Sequence, residues 1–566
     1  MFRKSVTHKQ GDLFSGIPSI LEGKSLNHYN NTEAWHNQFR KQILSRIDES
    51  IFKVLYSENM GAPNSPVSVL LGMIILKDAF GWSDSQLFEH CRFNLLVRSA
   101  LGFFNLNDEI PTESTYYLFR QQVHQYMHGH GEDLFQKAFE TVTQGQIQEF
   151  EVSGKSIRMD SKLFGSNIAW FSRYEIIHQT FVLFCKTLDE SDFSPFSEEE
   201  KQQLGHLLKE EPLKTIYRST KEDIQTRMQS IGILTYKTLQ LFSNNNNSEA
   251  YQLLQRVFRE QYTVGGDGQK VALRPKEEIA SDSVQSPHDP DSAYRHKTDQ
   301  KVKGYSMNVT ETISDGPLDL ITNVIVDKAN VSDTAFVVPG ISATQTITDE
   351  RVETVYTDGA YQSPSNDDFC QNIDMVFTGI QGAVSRYDLE MFPEGLLVTD
   401  TQTGERLQAT LAKKQKNSKE DRWFIRTGKD KVYFNQKAIR TANLRRTMKQ
   451  RPIEELQKRN NVEATIFHVG YPLRNSKSKY RGLVKNQIWA ICRCFWVNLV
   501  RIVHYLEQTC QRTLLKSGNA AFAFNLWFDN SFLTSNYNKL SRNLSFFVIV
   551  IFYNKFNPSF KNYFSE

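Results

Sequence analysis

The stretch that most restricts how this chain can fold is Gly154-Lys155-Ser156-Ile157-Arg158-Met159-Asp160-Ser161-Lys162-Leu163. Ile157 and Met159 alternate with Arg158 and Asp160, the period of a half-buried strand. Asp160 falls near the end of that strand, where a carboxylate can leave the core and face solvent. A second stretch has the same form: Glu353-Thr354-Val355-Tyr356-Thr357-Asp358-Gly359, a β-rich run stopped by Asp-Gly. A third carboxylate, Glu463, lies in Asn461-Val462-Glu463-Ala464-Thr465-Ile466-Phe467, which reads as helix. In an open α/β sheet, ligands collect at the carboxyl ends of the strands. The three carboxylates are therefore expected to meet there and hold metal. Each also has a plainer use. An Asp at a strand end commonly forms a turn or caps a helix, and a Glu on a helix is commonly solvated.

A chain of 566 residues is too long for one core, so about two to four domains are expected. Hydrophobic content of 39% and charged content of 23% are those of a soluble globular protein. The region after Met1 is polar, with Arg3, Lys4, His8 and Lys9, and lacks the apolar core of a signal peptide. The apolar run 546–553 is too short to span a bilayer. Six scattered cysteines, with Cys492 and Cys494 inside a helical pattern, argue against a zinc site and for a reduced cytoplasm. Net charge is only +3, but from Arg440 to Lys485 twelve Lys and Arg face only Glu454, Glu455 and Glu463. That run is either a solvated basic face or the footprint of a polyanionic partner; its position around Glu463 favours the partner.

In chain order, Ala62-Pro63-Asn64-Ser65-Pro66 opens a helix whose Val67, Leu70, Leu71, Ile74 and Ile75 form one apolar face. Gly81-Trp82 ends it, Ser83-Asp84 caps the next, and Pro111-Thr112-Glu113-Ser114-Thr115 caps another. Residues 1–150 thus read as a helical domain of helix-turn-helix character. Residues from about 168 to 262 are helical again. Val264-Gly265-Gly266-Asp267-Gly268 lacks a following Gly-Lys-Ser/Thr and reads as a turn. Strand signals at 303–310 and 318–326 form a hairpin around Ser314-Asp315-Gly316-Pro317, and Met375-Val376-Phe377-Thr378-Gly379 is a further strand. Residues 386–440 are β-rich and basic, with Lys413, Lys414, Lys416, Lys419, Arg422 and Trp423. A long amphipathic helix covers 484 to about 508. From 511 to 566 the composition shifts to Phe, Asn and Ser, and 546–553 is uncharged and aggregation-prone.

These acids on strand, strand and helix, with a basic surround, resemble the DDE transposases of bacterial insertion sequences. The resemblance is closest to the group with an InsH-type N-terminal domain and a Tyr-Arg-Glu-Lys signature around the last acid. It is carried by Arg158-Met159-Asp160-Ser161-Lys162, Asp289-Pro290-Asp291-Ser292-Ala293-Tyr294-Arg295-His296-Lys297, Lys301-Val302-Lys303-Gly304-Tyr305, Asn330-Val331-Ser332-Asp333, Asp358-Gly359-Ala360-Tyr361 and Arg459-Asn460-Asn461-Val462-Glu463. Residues 65–120 resemble that group's first domain. Two signature positions depart: the Tyr position holds Leu456 and the Lys position holds Gly470.

The resemblance implies an α/β fold: a ribonuclease-H-like catalytic core, begun in 151–385, carrying a helical insertion (about 168–262) and a β-rich basic insertion (386–440), and completed by 441–510. An all-α domain, 1–150, precedes it for DNA-end binding or dimerisation. It implies Asp160, Asp358 and Glu463 as catalytic metal ligands for two Mg²⁺ or Mn²⁺ ions, with Asp160 bridging. Two such ions about 4 Å apart can stabilise both the attacking and the leaving oxygen of a phosphodiester. The partners implied are double-stranded DNA, as terminal inverted repeats and target, and a second copy in a homodimer on paired ends. No membrane is involved, and the setting is the bacterial cytoplasm and its nucleoid. The alternatives are an inactive transposase-derived DNA-binding protein or a metal-dependent nuclease that does not join strands. Arg459, Arg445, Arg446, Arg451, Arg474 and Lys477 are candidate DNA contacts. An ion pair of Arg459 with Glu454 or Glu455 suits helical spacing as well. Trp423 is a candidate platform for an unpaired end base, against a core role. Tyr361 is a candidate support for the Asp358 turn.

Overall fold

The computed structural model describes residues 2–4, 16–58, 60–61, 63–245, 247–265, 270–297, 300–314, 316–380, 385–412, 421–428 and 430–516. Lys413, Lys414, Lys416 and Lys419, part of the Val264-Gly265-Gly266-Asp267-Gly268 turn, and the tail with its 546–553 run lie outside the described residues. The chain divides into two units, Met1–Arg501 and Ile502–Glu566. The described part of the second is the end of the helix Leu483–Lys516. No described helix is long and apolar enough to cross a membrane. All six cysteines are free, five of them buried.

Among the described residues, all regular structure before Ser156 is helical. The helix Val67–Phe80 follows Pro66 and stops at Gly81, whose φ of 70° suits glycine. The sequence pattern gave this helix one apolar face. It is instead buried all round from Val67 to Asp78, because Val69, Met73 and Leu76 fill the other side. A Cβ on Gly72 would come within 2.9 Å of Leu44 Cδ1 and 3.0 Å of Leu101 Cδ2, so a larger residue there would push these side-chain ends aside. The next helix, Asp84–Phe93, carries a full capping box between Ser83 and Gln86.

The first strand, Ser156–Gly165, is central in a mixed six-stranded sheet. On one side the long strand Gln300–Thr312 runs antiparallel to it, with Asp160 opposite Val309 and Ser161 opposite Asn308. That strand pairs along its other edge with Ala293–Lys297 and then with Ile321–Lys328. On the opposite side of the central strand lie Thr354–Thr357 and then Asp374–Phe377, both parallel. The alternation expected at Ile157 and Met159 is present. Both are fully buried against Val337 and Ile341 of the helix Val337–Thr348. Burial of such side chains is worth roughly 2–3 kcal/mol each. The other face of the strand meets the last two helices of the first unit, Asn461–Gly470 and the start of Leu483–Lys516; Phe164 lies 5.7 Å from Trp489.

Two segments interrupt this sheet. Helices between Arg173 and Gln261 enclose their own core around Ile177, Phe181, Leu234 and Phe258. Two three-stranded antiparallel sheets between Tyr387 and Asn435 pack with the helix Gln436–Gln450 around Leu396, Val398, Trp423 and Phe434. The strands thus end at Asn435, before the expected limit at 440, where Asn435 caps that helix through Ala438 N–H. Arg493 ties the helix Val67–Phe80 to the helix Asn461–Gly470. It is 1% exposed and donates to the His468 and Val469 carbonyls (2.6 and 3.0 Å) and to the Ala79 carbonyl (2.7 Å). It thereby satisfies the last carbonyls of two helices at once.

Candidate active site

Asp160 and Asp358 come together through strand register. Ser156 pairs with Thr354, Ile157 with Val355 and Arg158 with Tyr356 in parallel. The same offset carried two residues further sets Asp160 level with Asp358, where the shorter strand has just ended. Asp358 Oδ1 accepts the Ala360 N–H at 2.8 Å and so caps the short turn Gly359–Tyr361. The capping role is present. A Cβ on Gly359 would collide with the Gly379 carbonyl, so the residue after this aspartate has to be bare.

The turn before the Glu463 helix brings the third acid. The helix Ile453–Gln457 stops, and Arg459 follows in the break before Asn461–Gly470. Arg459 donates from one nitrogen to Asp160 Oδ2 at 2.8 Å and from another to Glu463 Oε1 at 3.1 Å. One guanidinium therefore holds two of the three acids. Its side chain is 11% exposed, Asp160's 16% and Glu463's 63%. The ion pair with Glu454 or Glu455, suggested by spacing, is not formed; Glu455 pairs with Arg451 instead.

Asp160 is pushed up to about 6, first by burial; Arg459 and the Ser161 N–H oppose this, and the charges of Asp358 and Glu463 add to it. All three acids thus share one electrostatic neighbourhood. Carboxylate oxygens are the donors hard divalent cations take, and Arg459 already stands between two of them as a cation. Among the described residues no three acidic, His or Cys side chains converge closely enough to hold one ion in this conformation. The donor chemistry fits; Arg459 occupies the contact.

Two networks fix this geometry. Ser161 Oγ lies 2.7 Å from the Tyr361 hydroxyl, and the Asn308 amide donates to Tyr361 (2.7 Å), to Ser161 Oγ (3.1 Å) and to the Asp160 carbonyl (3.2 Å). Tyr361 is fully buried, so it supports the Asp160 strand as well as its own turn. Asn308 carries no sequence signal that sets it apart, because Ser306, Thr310 and Glu311 of the same strand are polar and buried as well. Beneath Asp160, Glu311 is 0% exposed and paired with Arg158 and Arg501. Burial alone would raise its pKa, but Arg501 and Arg158 together hold it below the usual carboxylate range. Thr465 donates to Glu311 at 2.7 Å and Arg158 to the Lys458 carbonyl at 3.1 Å, which anchors the Glu463 helix and the Arg459 turn to the central strand.

The other expected site residues are distributed differently. Trp423 is 9% exposed and packs into the core of the β-rich segment, so it does not present a ring to a base. Its strand alternates and Trp423 is on the inward side, opposite Phe434. Arg446 pairs with Asp388 and Glu390, and Arg451 with Asp374 and Glu455. Arg445 is half-buried on the same helix as Arg446. Arg474 and Lys477 are exposed on a segment held to the end of the Asp160 strand by Gly165 N–H to Ser476 O and Ser478 N–H to Gly165 O, both 2.8 Å. Lys477 also reaches the Ile168 carbonyl at 3.4 Å.

Residues 28–122 match a family model described as Transposase domain (DUF772). No curated protein matches the chain, and no solved structure does. The matched segment contains the helix Val67–Phe80, whose Ala79 carbonyl is capped by Arg493. Its Asp78 accepts from the Tyr480 hydroxyl at 2.6 Å.

Proposed function

We propose that this chain is a DDE transposase. It binds the terminal inverted repeats of an insertion sequence, cleaves DNA at the ends by metal-dependent phosphodiester hydrolysis and joins the freed 3′-hydroxyl to target DNA. The observation that carries this reading is that Arg459 bridges Asp160 and Glu463, while Asp358 lies close enough to act on the charge of Asp160, in a chain with a transposase-domain match at 28–122. An aspartate on the central strand and another at the end of its parallel neighbour support a ribonuclease-H-like core. The segments 168–262 and 386–440 are then insertions into that core, and 1–150 binds DNA ends or dimerises.

In this reading Asp160, Asp358 and Glu463 would hold Mg²⁺ or Mn²⁺. Bound there, two such ions supply charge neutralisation on both sides of the phosphorus. The chain's own residues do the positioning. Arg459 keeps Asp160 ionised against a burial that favours the acid form, and it holds Glu463 beside Asp160. Asn308 and Tyr361 hold the backbone at Asp160, so little reorganisation is left for the moment of reaction. Reactions of this kind need no covalent protein intermediate.

The test is to incubate the full-length protein with a labelled duplex ending in an inverted repeat that flanks its coding region. The reading expects end cleavage and strand joining in Mg²⁺ or Mn²⁺ and neither in EDTA. Cutting without joining would make the protein a nuclease, and binding without cutting an inactive DNA-binding descendant. Equal turnover in EDTA would remove metal from the mechanism.

A further inference from the structure

Lys162 lies two residues beyond Asp160 and, by strand alternation, on the same face. It is half-buried. No hydrogen-bond acceptor or carboxylate among the described residues takes its charge. Other cations of this part of the fold are engaged: Arg459 by Asp160 and Glu463, Arg158 by Glu311 and Asp319, Lys477 by the Ile168 carbonyl. A charge drawn partly out of water and left without an anion is costly unless a ligand supplies the partner.

The position of the ammonium is specific. It rests over Gly470, the last residue of the Glu463 helix; a Cβ built there would be 3.0 Å from Lys162 Nζ. Seven residues are close to two helical turns, so Gly470 and Glu463 share one helix face. Lys162 thus adds a cation to the face that carries the last acid, at the point where a side chain on residue 470 would crowd it. Position 470 is also where the signature resembled by this chain has a lysine.

We propose that Lys162 binds a backbone phosphate of the DNA held at the carboxylate cluster, with Gly470 left bare to give its ammonium room. This rests on the transposase reading above. Strand and helix then supply the same charge at the same point from opposite sides, and the chain uses the strand.

The experiment measures binding of an inverted-repeat duplex against salt concentration for the wild type, Lys162→Met, Gly470→Ala and the swap Lys162→Ala with Gly470→Lys. One lost phosphate contact should flatten the log–log slope by about 0.9. Lys162→Met is expected to show that loss with its thermal midpoint retained. Gly470→Ala, which keeps the charge but crowds the ammonium, is expected to weaken binding. The swap is expected to restore the wild-type slope. An unchanged slope in a folded Lys162→Met, or a swap whose slope stays about 0.9 flatter than the wild type's, would overturn the proposal. If Lys162→Met does not fold, Gly470→Ala and the swap decide in the same way. A wild type with no salt-dependent binding to the repeat would instead overturn the transposase reading, and this proposal with it.

Discussion

Arg459 donates to Asp160 at 2.8 Å, from the break before the Glu463 helix onto the central strand of the sheet. The guanidinium also holds Glu463, so it does before metal binding what a divalent cation would do afterwards. Replacing it leaves two neighbouring carboxylates with no shared cation. Arg459→Gln should therefore lower stability by about 2 kcal/mol in EDTA. Mn²⁺ should recover much of that loss, giving a larger thermal shift in the variant than in the wild type. Identical shifts in the two proteins would mean that ion and guanidinium do not compete for the same carboxylates.

Trp423 is a core residue of the β-rich segment, packed with Leu396, Val398 and Phe434. Trp423→Ala should cost about 3–5 kcal/mol by chemical denaturation. Trp423→Phe should keep most of the stability and all of the end binding. A stable Trp423→Phe variant that no longer binds ends would return the ring to a DNA-contacting role.

His36 lies within the matched segment, fully buried, with Nε2 2.9 Å from the Tyr29 carbonyl. Burial pushes it down to about 4 from an ordinary 6.5. The folded state therefore resists a proton that the unfolded chain accepts. Its contribution is fully present above pH 6.5 and is lost as pH falls toward 4. The loss amounts to roughly 3 kcal/mol. Urea denaturation of His36→Gln between these limits should show a flatter pH dependence than the wild type. Parallel curves would assign the acid sensitivity elsewhere.

Part of this site was legible in the chain. The alternation around Met159 and the Asp-Gly stop at 358 are local signals with a fixed period, and both strands formed where they indicated. The partners were not legible, because they come from far away in sequence. The basic run from Arg440 to Lys485 has few acids within its own window, yet Arg440, Arg446 and Arg451 pair with Asp367, Asp388 and Asp374 outside it. Counting charge along a window missed carboxylates that the fold brings in. Arg459 shows the same limit. Its i,i+4 contact with Glu463 could be read from spacing, but its contact with Asp160 required the sheet. The all-round burial of the helix from Val67 to Asp78 likewise depends on what encloses it, not on its own periodicity.

The most direct test of the central claim is to compare Asp160→Asn, Asp358→Asn and Glu463→Gln in end cleavage and in end binding, with Mg²⁺ present. Each change removes one charge and almost no volume. If the three carboxylates act together, every variant should lose cleavage by at least about a hundredfold, the scale of removing one electrostatic stabiliser, while binding the inverted-repeat duplex as the wild type does. Cleavage at the wild-type rate by any one of them would take that residue out of the site and contradict the account.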